Sequence, residues 1–358
     1  MSFYENLRSY LFTKKASFEE FYNSLQSEDE KIDFINKLYG VNYGDRGDYE
    51  QEFSDLYSVS YIQDWYVLNY MYAYAYEYRG MFTRLLTEQS LPVVIDMLSV
   101  GCGNGIDYWA LREAEQSIIG NNTEDGRYIV YTGLDEVNWR DRWGRDRGNC
   151  IISSPDEKEQ EIVYNSPINA VDYLENAEML PYNVIVFPKS ISEFNEDEFA
   201  RICNALGTKE FKFQPRGRER VYDRNEVHFL ISLRKNQRGI SHSDVERCRL
   251  LKEAMETNDF ELSNPVTVPT QIEEFYVEDG RSIFEHDNSF KYPRDIKNFM
   301  TNMSTNILEF IQRQPDNILG FTQRLGEDVI VRNVERMFTP MTTTRYICNI
   351  IMTFRKRR

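Results

Sequence analysis

The chain has 358 residues, with 42 Lys plus Arg against 58 Asp plus Glu and a net charge of −16. Hydrophobic residues make up 41%, charged residues 28%, and there are only 18 Gly and 11 Pro. This is the composition of a soluble globular protein with one large domain and additions, which excludes disordered, collagen-like and low-complexity classes. A field this acidic repels polyanions except where cations cluster, so nucleic acid is a disfavoured partner. The five cysteines, Cys102, Cys150, Cys203, Cys248 and Cys348, form no C-x-x-C pair and read as reduced thiols of a cytoplasmic protein. His228, His242 and His286 have no ligand spacing, so no metal centre is expected. Met1 to Glu5 lacks the pattern of an export signal, and no run approaches the length of a membrane span.

In chain order, the first 90 residues read as a helical cap. Phe18, Phe21, Tyr22 and Leu25 recur at helical spacing, as do Ile32, Ile35 and Leu38 before Gly40, and a turn-rich stretch from Gly40 to Asp48 ends that unit. Tyr57 to Leu86 then carries a dense aromatic run. The alternating tyrosines of Tyr70 to Tyr78 suit a strand, but the interleaved Met71, Ala73, Ala75 and Glu77 are good helix formers, so the spacing predicts one long helix packed over a sheet.

From residue 91 short apolar runs alternate with amphipathic segments, the pattern of a doubly wound α/β domain. Strands are expected at Val93 to Val100, Tyr128 to Leu134, Glu161 to Tyr164, Asn183 to Phe187 and Val227 to Leu233. Helices are expected at Ile106 to Ile118, Asn169 to Asn176, Glu196 to Leu206 and Ser243 to Thr257. Asn195 followed by Glu198 forms a capping box that starts the third of these. Beyond Asp259, a strand at Phe260 to Val268 precedes a polar, partly helical stretch, and a last strand at Thr344 to Phe354 closes the sheet beside the fifth. The organisation expected is residues 1–90 as cap, 91–270 plus 340–358 as core, and 271–339 as a partly helical insertion.

The segment VVIDMLSVGCGNGIDYWAL, from Val93 to Leu111, is an apolar strand, a turn with Gly101, Gly103 and Gly105, and a helix. Such glycines let the backbone turn sharply and let a ligand lie against the main chain, while the helix start offers free N–H groups. The second strand ends in Asp135, placed to hold the two hydroxyls of a ribose. In these residues the chain resembles the class I S-adenosylmethionine-dependent methyltransferases. SVGCGNG, from Ser99 to Gly105, is similar to the family's first motif and Asp135 in YTGLDEV to its second; YNVIVFPKSISEF, from Tyr182 to Phe194, matches a fourth-strand motif more loosely. The resemblance covers about residues 91 to 260 and the last strand. It implies a Rossmann-like doubly wound sheet of the class I methyltransferase type and S-adenosylmethionine as cofactor. It implies a cofactor set of Ser99, Gly101, Cys102, Gly103, Asn104, Gly105, Asp135, Phe187, Lys189 and Ser190.

The sequence departs from the family at three places. Ser99 stands where an acid often precedes the first glycine, and the gap from Gly105 to Asp135 is long, which a loop at Gly120 to Gly126 would absorb. FPKS at Phe187 to Ser190 replaces the Asp/Asn-Pro-Pro-aromatic motif with which resembling enzymes accept hydrogen bonds from a planar amine, so the expected acceptor is a small molecule or protein and not an exocyclic base amine. Lys189 and Glu193 are the candidate catalytic residues, and His228, inside an apolar strand, reads as a buried hydrogen-bonded residue. Arg140, Arg142, Arg145 and Arg147 with Trp139 and Trp143, and the cations of Lys209 to Arg224, suit phosphate or base contacts, but their interspersed acids favour solvated loops. Three other readings compete: a methyltransferase-like scaffold in a multi-protein complex, its partner held by the N- or C-terminal additions; an RNA methyltransferase; and a nicotinamide oxidoreductase. The last is disfavoured by Ile106, where the dinucleotide fingerprint needs a glycine.

Overall fold

A computed structural model describes residues 3–43, 56–88, 91–92, 94–119, 127–141, 161–165, 167–212, 226–236, 239–263, 292–314, 326–341 and 347–357. The chain divides into two compact units. One comprises Met1–Tyr74 with Ser289–Thr342, the other Ala75–Asn288 with Thr343–Arg358.

The first unit is helical: α1 (Phe3–Ser24), α2 (Glu28–Tyr43), α3 (Ser60–Tyr66), a π-helical turn at Val67–Met71, the start of α4 (Tyr72–Glu88), and, labelled below after the sheet's own helices, α9 (Arg294–Arg313) and α10 (Glu327–Met337). Helix α2 runs through Gly40 to Tyr43, past the point where the sequence predicts a turn; the remainder of that predicted turn lies outside the described residues. The aromatic run is helical, as expected, with Tyr70 and Tyr74 stacked at 5.8 Å one turn apart. Its π turn has a use. Wider turns leave carbonyls for outside donors, and here Leu68 O accepts Tyr292 Oη at 2.5 Å while Asn69 O accepts the Met341 N–H at 2.7 Å. Trp65 Nε1 donates to Met337 O at 2.8 Å, so Tyr292, Met337 and Met341 are all tied to this stretch by hydrogen bonds. A buried ion pair, Lys14 to Asp64 at 2.9 Å, and a Phe18, Phe21, Phe34 and Tyr61 cluster complete the packing.

The second unit contains the sheet, whose strands are β1 (Val94–Val100), β2 (Tyr128–Leu134), β3 (Glu161–Asn165), β5 (Val184–Pro188), β7 (Glu226–Asn236), β9 (Phe260–Leu262) and β10 (Ile347–Lys356), in the spatial order β3-β2-β1-β5-β7-β10-β9. The first five positions are parallel, and β10 runs antiparallel between β7 and β9. A short β8 (Gly239–Ile240) folds back on β7, and β4 (Met179–Leu180) pairs with β6 (Glu210–Phe211) apart from the sheet. The doubly wound, Rossmann-like sheet expected from the sequence is present, with each expected strand within a few residues of its place. Of the expected strand Phe260 to Val268, Phe260–Leu262 is strand and 264–268 lies outside the described residues.

Side chains alternate across the sheet. On one face Leu98, Val100, Ile185, Phe187, Phe229, Ile231, Ile350 and Met352 pack with α6 (Ala170–Asn176), α7 (Glu196–Thr208) and α8 (His242–Thr257) into one buried core. The capping box at α7 is formed, with Asn195 Oδ1 accepting the Glu198 N–H at 2.9 Å and Glu198 accepting the Asn195 N–H at 3.0 Å. On the other face Tyr131 meets Tyr108 and Asp107 of α5 (Ile106–Ile119), and Ser232 meets Glu77 of α4. His228 is a buried strand residue, its Nδ1 3.0 Å from Thr353 Oγ1 on β10, and burial pushes its pKa down to about 4. Cys102, Cys203 and Cys248 are buried. Among the described residues no helix is long and apolar enough to cross a membrane, and no group of His, Cys, Asp and Glu could hold a metal ion.

Candidate functional site

The parallel strands β1, β5 and β7 end on one edge, and there the chain leaves β1 through the glycine turn. Gly101, Gly103 and Gly105 have φ of +74°, +57° and +81°, a left-handed conformation that L residues rarely adopt. The turn is tied to the neighbouring strand, since the Gly101 and Cys102 N–H groups both donate to Leu134 O at 2.8 and 2.9 Å, and it closes on itself through Gly105 N–H to Cys102 O at 3.0 Å.

The three glycines serve different purposes. A Cβ on Gly101 would lie 2.5 Å from Ser190 Cβ, and one on Gly105 would overlap the Tyr164 hydroxyl, so both positions are closed by the protein's own side chains. Among the described residues a Cβ on Gly103 would meet nothing nearer than the Trp139 ring at 3.9 Å. Gly103 is therefore the one of the three at which a Cβ would clash with no described residue.

Asp135, half-buried just past the end of β2, holds this turn. Its Oδ2 accepts the Gly103 N–H at 2.7 Å and its Oδ1 the Val137 N–H at 2.8 Å. Asp135 thus lies beside the glycine turn, and the predicted intervening loop at Gly120 to Gly126 falls outside the described residues. Below the turn, Ser99, Cys102 and Asn104 are buried. Asp107, in the first turn of α5, is fully buried; desolvation pushes its carboxyl up to about 6 although Tyr131 Oη donates to it at 3.0 Å.

At the end of β5, Phe187 is fully buried in the core. Lys189 turns left-handed, with φ of +67°, and Ser190 Oγ donates to Val100 O beneath the glycine turn. The Lys189 ammonium donates to Glu77 Oε1 at 2.8 Å and to Leu233 O at 3.1 Å, in a pair sealed from solvent. Glu193 is exposed ahead of α7. Of the first basic stretch only residues up to Asp141 are described, with Trp139 buried and Arg140 exposed; Arg142, Trp143, Arg145 and Arg147 lie outside the described residues, as does most of the second stretch.

Sequence reasoning missed Glu77, Ser232 and Tyr164 as parts of this edge. Tyr164, at the end of β3, was legible only as a strand residue. Glu77 sits in a helix read as packing, with no local signal that its carboxylate meets a lysine 112 residues away.

The sheet is Rossmann-like, parallel from β3 to β7 with β10 antiparallel beside β7. No protein-family model matches the sequence, and no curated protein matches it. Among solved structures the chain is similar to the plantazolicin methyltransferase in complex with S-adenosylhomocysteine (10% identity, 92% of this chain and 99% of that one, TM-score 0.35). It is also similar to the 1,6-didemethyltoxoflavin-N1-methyltransferase of Burkholderia thailandensis (11%, 55% and 71%, 0.30) and to a cyclopropane-fatty-acyl-phospholipid synthase-like protein of Lactobacillus casei (12%, 80% and 92%, 0.35). At these scores the likeness gives no residue-level correspondence, so the functional reading rests on the glycine turn and Asp135.

Proposed function

We propose that the protein is an S-adenosylmethionine-dependent methyltransferase acting on a small-molecule or protein acceptor. The observation that carries this reading is the set of three left-handed glycines, one of them meeting only the Trp139 ring among the described residues, whose central N–H is held by an acid at the end of the adjacent parallel strand. That arrangement fits a nucleoside. The missing Cβ of Gly103 would leave room for it against the main chain, and Asp135 would accept from the ribose hydroxyls. The proposed cofactor set is Gly101, Cys102, Gly103, Asn104, Gly105 and Asp135, with Ser99, Phe187, Lys189 and Ser190 supporting it from below.

When bound, the cofactor supplies an already activated methyl group, so the protein's tasks are alignment, exclusion of water and acceptance of a proton from the acceptor. The glycine turn and Asp135 would fix the nucleoside end. The end of β5 would face the acceptor, and with Lys189 engaged and no paired acceptors in Phe187 to Ser190, a planar exocyclic amine has nothing to orient it. Calorimetric titration tests the reading. S-adenosylhomocysteine should bind and raise the melting temperature by mass action, and NAD should do neither. Binding of NAD without binding of either sulfur nucleoside would refute it.

A further inference from the structure

Lys189 is one of two described non-glycine residues in the left-handed region, and it is the one at the sheet edge that carries the site. Its side chain runs away from the turn into a closed pocket, where Glu77 and Leu233 O hold the ammonium and Glu77 also accepts the Ser232 hydroxyl. The next residue, Ser190, donates to Val100 O and lies so close under Gly101 that a Cβ there could not be accommodated. The contacts form one line, from Glu77 to Lys189, to the left-handed turn, to Ser190 and to the glycine turn.

We propose that Glu77 and Lys189 are positioning residues for the cofactor turn: their buried ion pair holds Lys189 left-handed, which seats Ser190 beneath Gly101. The proposal rests on the cofactor reading for its ligand and on the geometry alone for its mechanism. Neither side chain needs to touch the cofactor. A lysine has no intrinsic preference for this backbone; its N–H donates to Phe187 O at 3.0 Å within the turn, and the buried ion pair anchors its side chain from a separate element.

The test separates backbone positioning from plain stability. Removing one partner of a buried pair leaves an uncompensated charge, so both are neutralised together. In Glu77→Gln with Lys189→Gly the turn keeps its positive φ without strain but loses the volume of the lysine stem; in Glu77→Gln with Lys189→Met the volume is kept and the turn is released. The methionine variant should bind S-adenosylhomocysteine about tenfold more weakly than the glycine variant, the factor expected from the cost of a left-handed L residue. Melting temperatures should run in the opposite order, with the methionine variant above the glycine variant. Hydrogen exchange without ligand should be faster at Gly101 to Gly105 in the methionine variant than in the other two proteins. Affinity that follows melting temperature, equal affinity in all three proteins, or unchanged exchange would overturn the proposal. If wild type binds no S-adenosylhomocysteine, the cofactor reading fails, and the exchange order alone decides on positioning.

Discussion

Replacing Gly105 by alanine should damage folding before it damages binding. The new methyl group would occupy the place of the Tyr164 hydroxyl and stand 2.9 Å from Cζ and 3.1 Å from Cε1 of that ring, at a residue with φ of +81°. Holding an L residue left-handed costs about 1–2 kcal/mol, and forcing a methyl group into a packed site typically costs about 1–3 kcal/mol, so the loss should be about 2–5 kcal/mol. Urea denaturation followed by far-UV circular dichroism measures it. The packing part is separable: adding Tyr164→Phe removes the clashing oxygen and leaves the φ cost and the two ring contacts. The double mutant should therefore regain about 1–2 kcal/mol relative to additivity. Gly103→Ala, whose methyl group would meet only the Trp139 ring at 3.9 Å, should lose no more than the backbone cost while weakening S-adenosylhomocysteine binding. A Gly105→Ala protein as stable as wild type, or no coupling to Tyr164→Phe, would refute the assignment of the two glycines to different duties.

Asp135→Ala removes the acceptor for the Gly103 and Val137 N–H groups and the proposed ribose contact. S-adenosylhomocysteine affinity should fall about ten- to a hundredfold by calorimetry, the equivalent of about 1.5–3 kcal/mol for a charged hydrogen-bond partner. The pH dependence of stability should carry two opposed contributions. Burial pushes His228 from 6.5 to about 4, so between those values the unfolded chain binds a proton that the native state does not, and up to about 3 kcal/mol of stability, full above pH 6.5, is lost on acidification. Asp107, pushed from 3.8 up to about 6, binds its proton more tightly in the native state, so its contribution is full below pH 3.8 and is lost as pH rises toward 6. In His228→Gln the His228 slope is removed, and the stability gap between wild type and variant should narrow as pH falls from 6.5 to 4. A gap independent of pH in urea titrations would show that His228 is not held neutral by burial.

What the sequence made legible follows from how local each signal is. Strands β1 and β2 are apolar runs ended by a glycine turn and by an acid, and both appear within one residue of their expected bounds. The α7 start is written in two residues three apart. Asp135 could be placed because motif and strand end coincide. The strands β4 and β6, two residues each, leave no periodicity to read. The π turn at Val67–Met71 is invisible because its cause lies in Tyr292 and Met341, which take up the carbonyls it frees. The Glu77–Lys189 pair is hidden for the same reason: Lys189 invites reading as a base near the methyl group, and its engagement with a helix 112 residues earlier emerges only in three dimensions.

Strand β10 has a consequence for how the molecule is made. It sits between β7 and β9 with a nine-residue register against β7, from Ile347 opposite Arg234 to Arg355 opposite Glu226, and both of its neighbours precede it by more than eighty residues. During synthesis, a nascent chain that has already emitted β7 must wait for the intervening helices α9 and α10 before that strand finds its second partner. Until then β7 is an open edge lined by Val227, Phe229 and Ile231, the kind of edge that pairs with foreign strands. Contacts so distant in sequence also form slowly. A nascent chain lacking β10 should therefore aggregate more readily than the finished fold, and a chaperone that shields the β7 edge should raise the yield.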